Sequence, residues 1–404
     1  TCGIRTTASS RILDNYVPVY DATIVKKLRE AGADFVCKAS MDELGMGGTN
    51  KNAYTGAVHN PYDLDRIPGG SSGGCAALVA AGCVPLAIGT DTGDSVRKPA
   101  AYCGVVGVKP TYGRISRYGI IPYASSLDHV GYFTTNVKDA ALALEVLAGR
   151  DDHDMTSSYE EVKEYSKLLN GDLTNKTIGV FKTVMDEVKN EELKAQFNTL
   201  VSKLEEKGAK IVEVEMPKEY MELIAPVYKT IANAEATANH SNLDGIRFGM
   251  REEGQDLEEV MTNTRTKGFS SYVRARFVIG SYSLFEENQD RLFRKAQKIR
   301  RLIVQAYAKM FEECDAVLSV AAPTIAPLIN ESTNVRFGVS SFAEEHMQLQ
   351  NFSGYPSITL PLGKVDSMPV AVNLTCKPFE EQKMFDVSSA IEECTGLKGQ
   401  CLEG

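Results

Sequence analysis

The chain has 404 residues, 43% hydrophobic and 24% charged, which is ample for a large core; no apolar run is long enough to span a membrane. Its formal net charge of −9 argues against a protein that grips nucleic acid by itself, because basic residues facing phosphate supply most of that affinity; any RNA would be held mainly by a partner. Nine scattered cysteines, with no Cys-x-x-Cys pair and no histidine at metal-ligand spacing, argue against a disulfide scaffold or a metal site and for reduced thiols in a cytoplasmic setting.

The sequence opens on Thr1, and "TCGIRTT" reads as the interior of a longer sequence, a fragment or a processed product. Residues 19–40, "VYDATIVKKLREAGADFVCKAS", predict a helix with Asp21 as N-cap and Gly32 closing it, then a short buried strand, "DFVCKAS". The Gly-, Asn- and Asp-rich "MDELGMGGTNKNAYTGAVHNPYDLDR" follows as a long loop, a type that in compact domains is usually functional or disordered. Residues 74–82 are nearly all small and apolar and predict a helix packed close to its neighbours. "VPLAIGTD" predicts a buried strand running into a glycine loop, and "NVKDAALALEVLAG" a further helix.

Residues 151–176 are polar and read as a surface connection. In 177–217, "TIGVF" and "KIVEVEM" predict strands, with Leu193, Phe197, Leu200, Val201 and Leu204 at helical spacing between them. Such a unit normally pairs parallel strands across a helical crossover. Residues 218–313 read as helical. The last of these helices gathers Phe293, Ala296, Ile299, Ile303, Tyr307 and Met310 on one face, and Arg294, Lys295, Lys298 and Arg301 read as its solvated side rather than as an RNA or partner contact. "DAVLSVAAPT", "SITLPLG" and "PVAVNL" in 314–404 predict further strands of the same sheet. Strands alternate with helices over most of the length, so the fold class is α/β.

Two glycine–serine clusters frame the small-residue helix: "GGSSGG", with Ser71 and Ser72, and "TDTGDS", ending in Ser95. Acyl transfer needs a nucleophile, a base and N–H donors aimed at the developing oxyanion, and glycine loops turn backbone N–H groups inward. None of the five histidines, His59, His129, His153, His240 and His346, stands beside either cluster in sequence, so a Ser–His–Asp triad has no local support. A phosphate cradle and a pair of tight turns packing a helix are the alternatives, and the Gly-x-x-x-x-Gly-Lys-Ser/Thr pattern of a phosphate loop is missing.

The stretch "GGSSGGCAALVAAG", "TDTGDSVR" and "KPA" resembles the amidase signature family, whose pattern is Gly-Gly-Ser-Ser-Gly-Gly, a small-residue helix, then Asp-Thr-Gly-Gly-Ser-Ile-Arg and Pro-Ala. Within it the chain looks most like the glutaminase subunits of tRNA-dependent amidotransferases, on "GIRTTASSRIL", "MDELGMGG", "GVVGVKPTYGRISRYGIIPYASSLDHVG" and "NLDGIRFG". The likeness thins after about residue 325. It implies a single domain over 1–404 with a large mixed central sheet covered by helices on both faces, residues 1–150 holding the catalytic core. It also implies a Ser–Ser–Lys triad. Ser95 matches the nucleophile and Ser71 the bridging serine, held by a cis peptide, with Thr92, Gly93 and Asp94 at the oxyanion hole. Tyr228 and Arg276 match glutamine contacts, and Glu344 or Glu345 would receive the ammonium.

Two departures stand out. The family's lysine falls in a Lys-Asp-Asn motif that would lie upstream of Thr1, whereas Lys38 and Lys109 sit in other motifs. Asp94 stands where the family has glycine; a carboxylate about 4 Å from an oxyanion would cost roughly 4 kcal/mol at an effective dielectric near 20, about a thousandfold in rate, unless its side chain turns away. Cys75, on the small-residue helix, reads as a core thiol rather than a nucleophile.

The resemblance implies that the chain hydrolyses glutamine, without cofactor or metal of its own. The ammonia would go to a B subunit that amidates Glu-tRNA(Gln) or Asp-tRNA(Asn) with ATP and Mg, a small C subunit clasping the pair. A stand-alone amidase, or a scaffold disabled by Asp94, are the other expectations.

Overall fold

The computed structural model describes residues 1–332 and 341–402. Among the described residues eight strands join in one sheet: β1 (Ala87–Asp91), β2 (Val106–Lys109), β3 (His129–Thr134), β4 (Thr177–Phe181), β5 (Lys210–Val214), β6 (Ala316–Val320), β7 (Ser357–Val365) and β8 (Met368–Cys376). Their order across the sheet is β1-β3-β2-β7-β8-β6-β4-β5. From β1 to β6 every neighbouring pair is antiparallel; β4 then runs parallel to both β6 and β5, so the sheet is mixed. The central strands β6 and β8 are buried along their whole length, which is why they read as continuous apolar runs rather than alternating ones.

The small-residue helix α2 (Gly73–Ala80) and α3 (Arg97–Cys103) follow α1 (Thr23–Glu30) in the N-terminal part, and α4 (Val137–Leu147) comes after β3. Strand alternation puts helices on both faces. A Cβ at Gly107 of β2 would lie 2.5 Å from Ala100 Cβ of α3, while its neighbours Val106 and Val108 turn to the main core on the other face. Between β4 and β5 run α6 (Lys182–Met185) and the amphipathic α7 (Glu191–Glu206). Leu193, Phe197, Leu200 and Leu204 of α7 are buried, and β4 and β5 pair in parallel as the crossover pattern requires.

The helical region contains α8 (Lys218–Asn239), α9 (Leu257–Gly268), α10 (Ser271–Leu284), α11 (Glu286–Gln289) and α12 (Phe293–Met310). Helix α10 lies tight on α8, because at Gly280 a Cβ would come within 2.1 Å of the Asn233 carbonyl oxygen. On α12, Ala296, Ile303, Tyr307 and Met310 are buried, and Arg294, Lys295, Lys298 and Arg301 are exposed or half-buried. Arg300 turns inward and donates to the carbonyls of Phe352 and Ser126. Short helices α13 (Phe342–Glu345) and α14 (Gln348–Ser353) precede β7, and α15 (Glu381–Thr395) packs on β7 and β8.

Four expectations need correction. Residues 34–40 form no strand, and Phe35 and Val36 are 40% and 75% exposed; three apolar residues offer too little surface to force burial, and the Phe35 ring is covered by the Arg29 guanidinium. Helix α1 has Ala22 rather than Asp21 at its N-cap, since the Asp21 carboxylate pairs with Arg29 and the Cys2 N–H instead. The polar 151–176 stretch holds α5 (Tyr165–Leu168) and buries Tyr165 and Leu173 in the core, and Asp151 goes under the surface because Ser116, Thr23 and His153 satisfy its carboxylate. Strand β1, in addition, lies at the sheet's edge with only Gly89 and Asp91 buried.

Candidate active site

β1 ends at Asp91, and the chain turns through Thr92, Gly93, Asp94 and Ser95 before entering α3. One buried ion pair braces this turn. Arg97 donates from Nη2 to Asp91 Oδ1 at 2.9 Å and to the Gly93 carbonyl at 2.8 Å, and from Nη1 to Gln350 Oε1 at 2.8 Å. Asp91 Oδ2 accepts the Val96 N–H at 3.0 Å, and Asn351 bridges from the Asp91 carbonyl to the guanidinium. Burial alone would raise the Asp91 carboxyl, but Arg97 and these hydrogen bonds hold it well below the usual carboxylate range.

The glycine–serine loop before α2 meets this turn directly. The Ser72 N–H donates to the Ser95 carbonyl at 3.1 Å, and the Ser72 hydroxyl donates to the Thr90 carbonyl at 3.1 Å while accepting the Thr90 N–H at 3.2 Å. Ser72 is therefore the stitch between the loops. The Gly70–Ser71 peptide is cis, and the Ser71 carbonyl accepts the Asp42 N–H at 3.0 Å. The Ser71 hydroxyl is buried and has no hydrogen-bond partner among the described residues. Gly70 has no room for a side chain: a Cβ would lie 2.1 Å from Asp42 Oδ2 and 2.8 Å from the amide nitrogens of Thr49 and Asn50. Those two N–H groups donate to Asp42 Oδ2, so the long Gly/Asn loop forms the floor beneath Ser71. Burial pushes the Asp42 carboxyl up to about 7 against the pull of these N–H groups and of Arg276.

Tyr228 of α8 and Arg276 of α10 reach the same place. The Tyr228 phenol lies on Gly93, where a Cβ would stand 3.0 Å from its Cζ and Oη. Arg276 donates to the hydroxyls of Tyr123 and Tyr272 and to Asn233 Oδ1, and its guanidinium stacks 4.8 Å from the Tyr272 ring centroid. The wall beside the turn that ends in Ser95 is thus a cation set among three tyrosines. Thr92 turns its hydroxyl elsewhere, donating to Asp128 Oδ1 at 2.7 Å.

Asp94 has a partner. Its Oδ2 lies 3.8 Å from Lys98 Nζ, one turn along α3, and that ammonium also meets Glu344 Oε2 at 3.5 Å and the Glu344 carbonyl at 3.1 Å. Glu345 accepts from Gln348, so both candidate acids stand on the Asp94–Lys98 side of the turn. Burial pushes the Asp94 carboxyl up to about 6; Lys98 opposes the rise, and Asp91 and Glu345 add to it.

The other nucleophiles and bases are engaged elsewhere. Burial drives His129, His240 and His346 toward the neutral form; His129 bonds the Leu127 carbonyl, and His346 bonds Ser319 of β6 at 3.0 Å. Lys109 is fully buried and donates to the carbonyls of Pro110 and Tyr355. Cys75 donates to the Ile88 carbonyl, and burial pushes its thiol up to about 12, as suits a core thiol. Among the described residues no three His, Cys, Asp or Glu side chains are placed to hold a metal ion.

The sequence reading assigned no role to Asp42, Arg97, Lys98, Tyr123, Asn233 or Tyr272. Two signals for them were present: Lys98 follows Asp94, and Arg276 follows Tyr272, by four residues, the spacing at which helical side chains meet. Asp42, Tyr123 and Asn233 reach the site from distant segments, and no local spacing announces them.

A mixed sheet with two serine loops clasped at its edge has the architecture of an amidase. The chain belongs to the amidase family: the family model described as Amidase matches residues 1–385. It is 42% identical over 396 residues to the A subunit of the glutamyl-tRNA(Gln) amidotransferase of Fusobacterium nucleatum, covering 98% of this chain and 80% of that one. The crystal structure of the corresponding glutamyl-tRNA(Gln) amidotransferase A subunit from Thermotoga maritima superposes with a TM-score of 0.81 at 36% identity, covering 97% of this chain and 80% of that one. The native peptide amidase of Stenotrophomonas maltophilia superposes with a TM-score of 0.81 at 28% identity, again over 97% and 80%.

Proposed function

We propose that this chain is the glutaminase subunit of a tRNA-dependent amidotransferase. Ser95 Oγ attacks the side-chain amide of glutamine and forms an acyl ester. The Ser95 proton passes to Ser71 Oγ, whose own proton passes to a base, and the relay then delivers a proton to the departing ammonia. Water cleaves the ester and releases glutamate. Backbone N–H groups of the Thr92–Ser95 turn, rigid because of the Asp91–Arg97 brace, stabilise the oxyanion without reorganising. Arg276 is suited to the glutamine carboxylate, Tyr228 to its flank, and Glu344 or Glu345 to its ammonium.

The observation that supports this reading is the clasp of the two loops, in which the Ser72 N–H donates to the Ser95 carbonyl, together with the buried hydroxyl of the adjoining Ser71, which has no hydrogen-bond partner among the described residues. A B subunit receives the ammonia and, using ATP and Mg, amidates Glu-tRNA(Gln) or Asp-tRNA(Asn), with a small C subunit completing the complex in the cytoplasm. Among the described residues no helix is long and apolar enough to cross a membrane. Likeness to a peptide amidase gives a second reading, a stand-alone amidase, at lower identity than the amidotransferase relatives.

Glutamine-dependent and ammonium-dependent amidation of Glu-tRNA(Gln) by the assembled enzyme separate these readings. With Ser95→Ala the glutamine-dependent reaction is lost and the ammonium-dependent one remains. An assembly that forms no Gln-tRNA(Gln) from either donor, while the isolated chain hydrolyses simple amides, favours the stand-alone amidase.

A further inference from the structure

We propose that Lys98 is a positioning residue that keeps Asp94, the acid in the glycine place of the nucleophile turn, from opposing the oxyanion. The inference rests on the glutaminase reading. Asp94 immediately precedes Ser95, and with glycine there no side chain would stand in the turn. The structure supplies its counter-charge within the same segment. Lys98 is one helical turn on, its side chain 7% exposed, and its Nζ lies 3.8 Å from Asp94 Oδ2 and 3.5 Å from Glu344 Oε2. The backbone fixes the spacing, since the Lys98 N–H donates to the Asp94 carbonyl at 2.8 Å. A third contact, from Nζ to the Glu344 carbonyl at 3.1 Å, anchors the ammonium to α13, so it holds the carboxylate from the side of that helix.

The charged and titratable groups facing Asp94 are Lys98, Asp91, Arg97, Glu345 and Tyr228, with Glu344 reached through Lys98. Among these groups Arg97 is committed to Asp91 and Glu345 carries the wrong sign, so the cation that offsets Asp94 is Lys98, which Asp94 shares with Glu344. Without it, an ionised Asp94 would place an uncompensated negative charge beside the reacting carbonyl. A protonated Asp94 would not. The consequence is a penalty that depends on pH. The raised carboxyl of Asp94 supports the same direction, because removing Lys98 lifts it further and moves the onset of the penalty toward neutrality.

The test measures kcat/KM for glutamine in the full-length chain in its native assembly, from pH 6 to pH 9, for wild type, Lys98→Gln, Lys98→Arg, Asp94→Asn/Lys98→Gln and Ser95→Ala. The ratio of Lys98→Gln to wild type should fall about ten- to a hundredfold as pH rises through this window. Lys98→Arg should keep most of the activity at every pH, and the double variant should give a ratio that no longer varies with pH. A Lys98→Gln ratio that is flat with pH, or a double variant as impaired and as pH-dependent as the single one, overturns the proposal while an inactive Ser95→Ala leaves the glutaminase reading standing. Full turnover by Ser95→Ala overturns both. If Lys98→Gln does not fold, Lys98→Met and the double variant carry the same comparison, and failure of both to fold while Lys98→Arg folds makes Lys98 a stability residue and overturns the proposal.

Discussion

Arg97 Nη2 lies 2.9 Å from Asp91 Oδ1, and neither side chain reaches solvent. The pair spans the base of the turn that carries Ser95, so it fixes both the turn's shape and the direction of its N–H groups. Removing one member leaves the other as an unpaired buried charge, at a cost of about 3–5 kcal/mol. Arg97→Met should lose that much stability in urea unfolding and should lose glutamine hydrolysis as well. A variant within about 1 kcal/mol of wild type would show that the turn is held by other contacts.

Gly93 carries the second prediction. Its hydrogen faces the Tyr228 phenol, and a methyl group there would come within 3.0 Å of Tyr228 Cζ. Gly93→Ala must displace either the tyrosine or the turn. A misplacement of about 1 Å at a reacting centre costs about a hundredfold in rate, and the shift required here is smaller. We expect kcat/KM for glutamine to drop by about two- to tenfold while the thermal unfolding midpoint moves little. Unchanged kinetics would mean that Tyr228 does not border the substrate.

Asp42 predicts a dependence of stability on pH. Burial raises its carboxyl to about 7, above the unfolded value near 4, so between these values the folded state binds more protons than the unfolded one. Its contribution to stability is therefore greatest near pH 4 and below, falls as pH rises toward 7 and levels off above that. The fall is about 1.4 kcal/mol for each pH unit between the two values. Asp42→Asn removes this dependence. Its stability relative to wild type should improve steadily from pH 4.5 to pH 7 and then hold constant. A difference that does not change with pH would show that Asp42 is ionised across the range.

Much of this arrangement was legible in the sequence, for reasons that differ by element. The β4–α7–β5 crossover was readable because Leu193, Phe197, Leu200 and Leu204 keep one helical face and two short apolar strands bound it. The serine clusters stood out because glycine flanks them on both sides of one small-residue helix, and the family resemblance, not the clusters alone, assigned Ser71 and Ser95 their roles. The exposed run at 34–40 misled because propensity for a strand says nothing about whether a sheet edge is there to receive it. The buried carboxylates of Asp42, Asp128 and Asp151 were hidden for a different reason. What buries each is a set of N–H and hydroxyl donors supplied by the folded chain, and composition reports only the charge.

Arg276 is proposed to meet the glutamine carboxylate, and Tyr123 and Tyr272 orient its guanidinium. Arg276→Met should raise KM for glutamine at least about tenfold with a smaller change in kcat, since uniform binding is what such a contact supplies. Arg276→Lys should recover only part of the loss, because an ammonium cannot reproduce the planar fork. Equal falls in kcat and kcat/KM, with KM unmoved, would place Arg276 in the transition state rather than in substrate binding.

The proposed reaction passes through a covalent ester on one hydroxyl. Rapid acid quench of the assembled enzyme during glutamine turnover, followed by mass spectrometry of the peptide spanning both loops, reads it directly. The fragment ions must separate residue 71 from residue 95. A glutamyl group is expected on Ser95 and absent from Ser95→Ala. A glutamyl group on Ser71, Ser72 or Cys75 with Ser95 unmodified would contradict it.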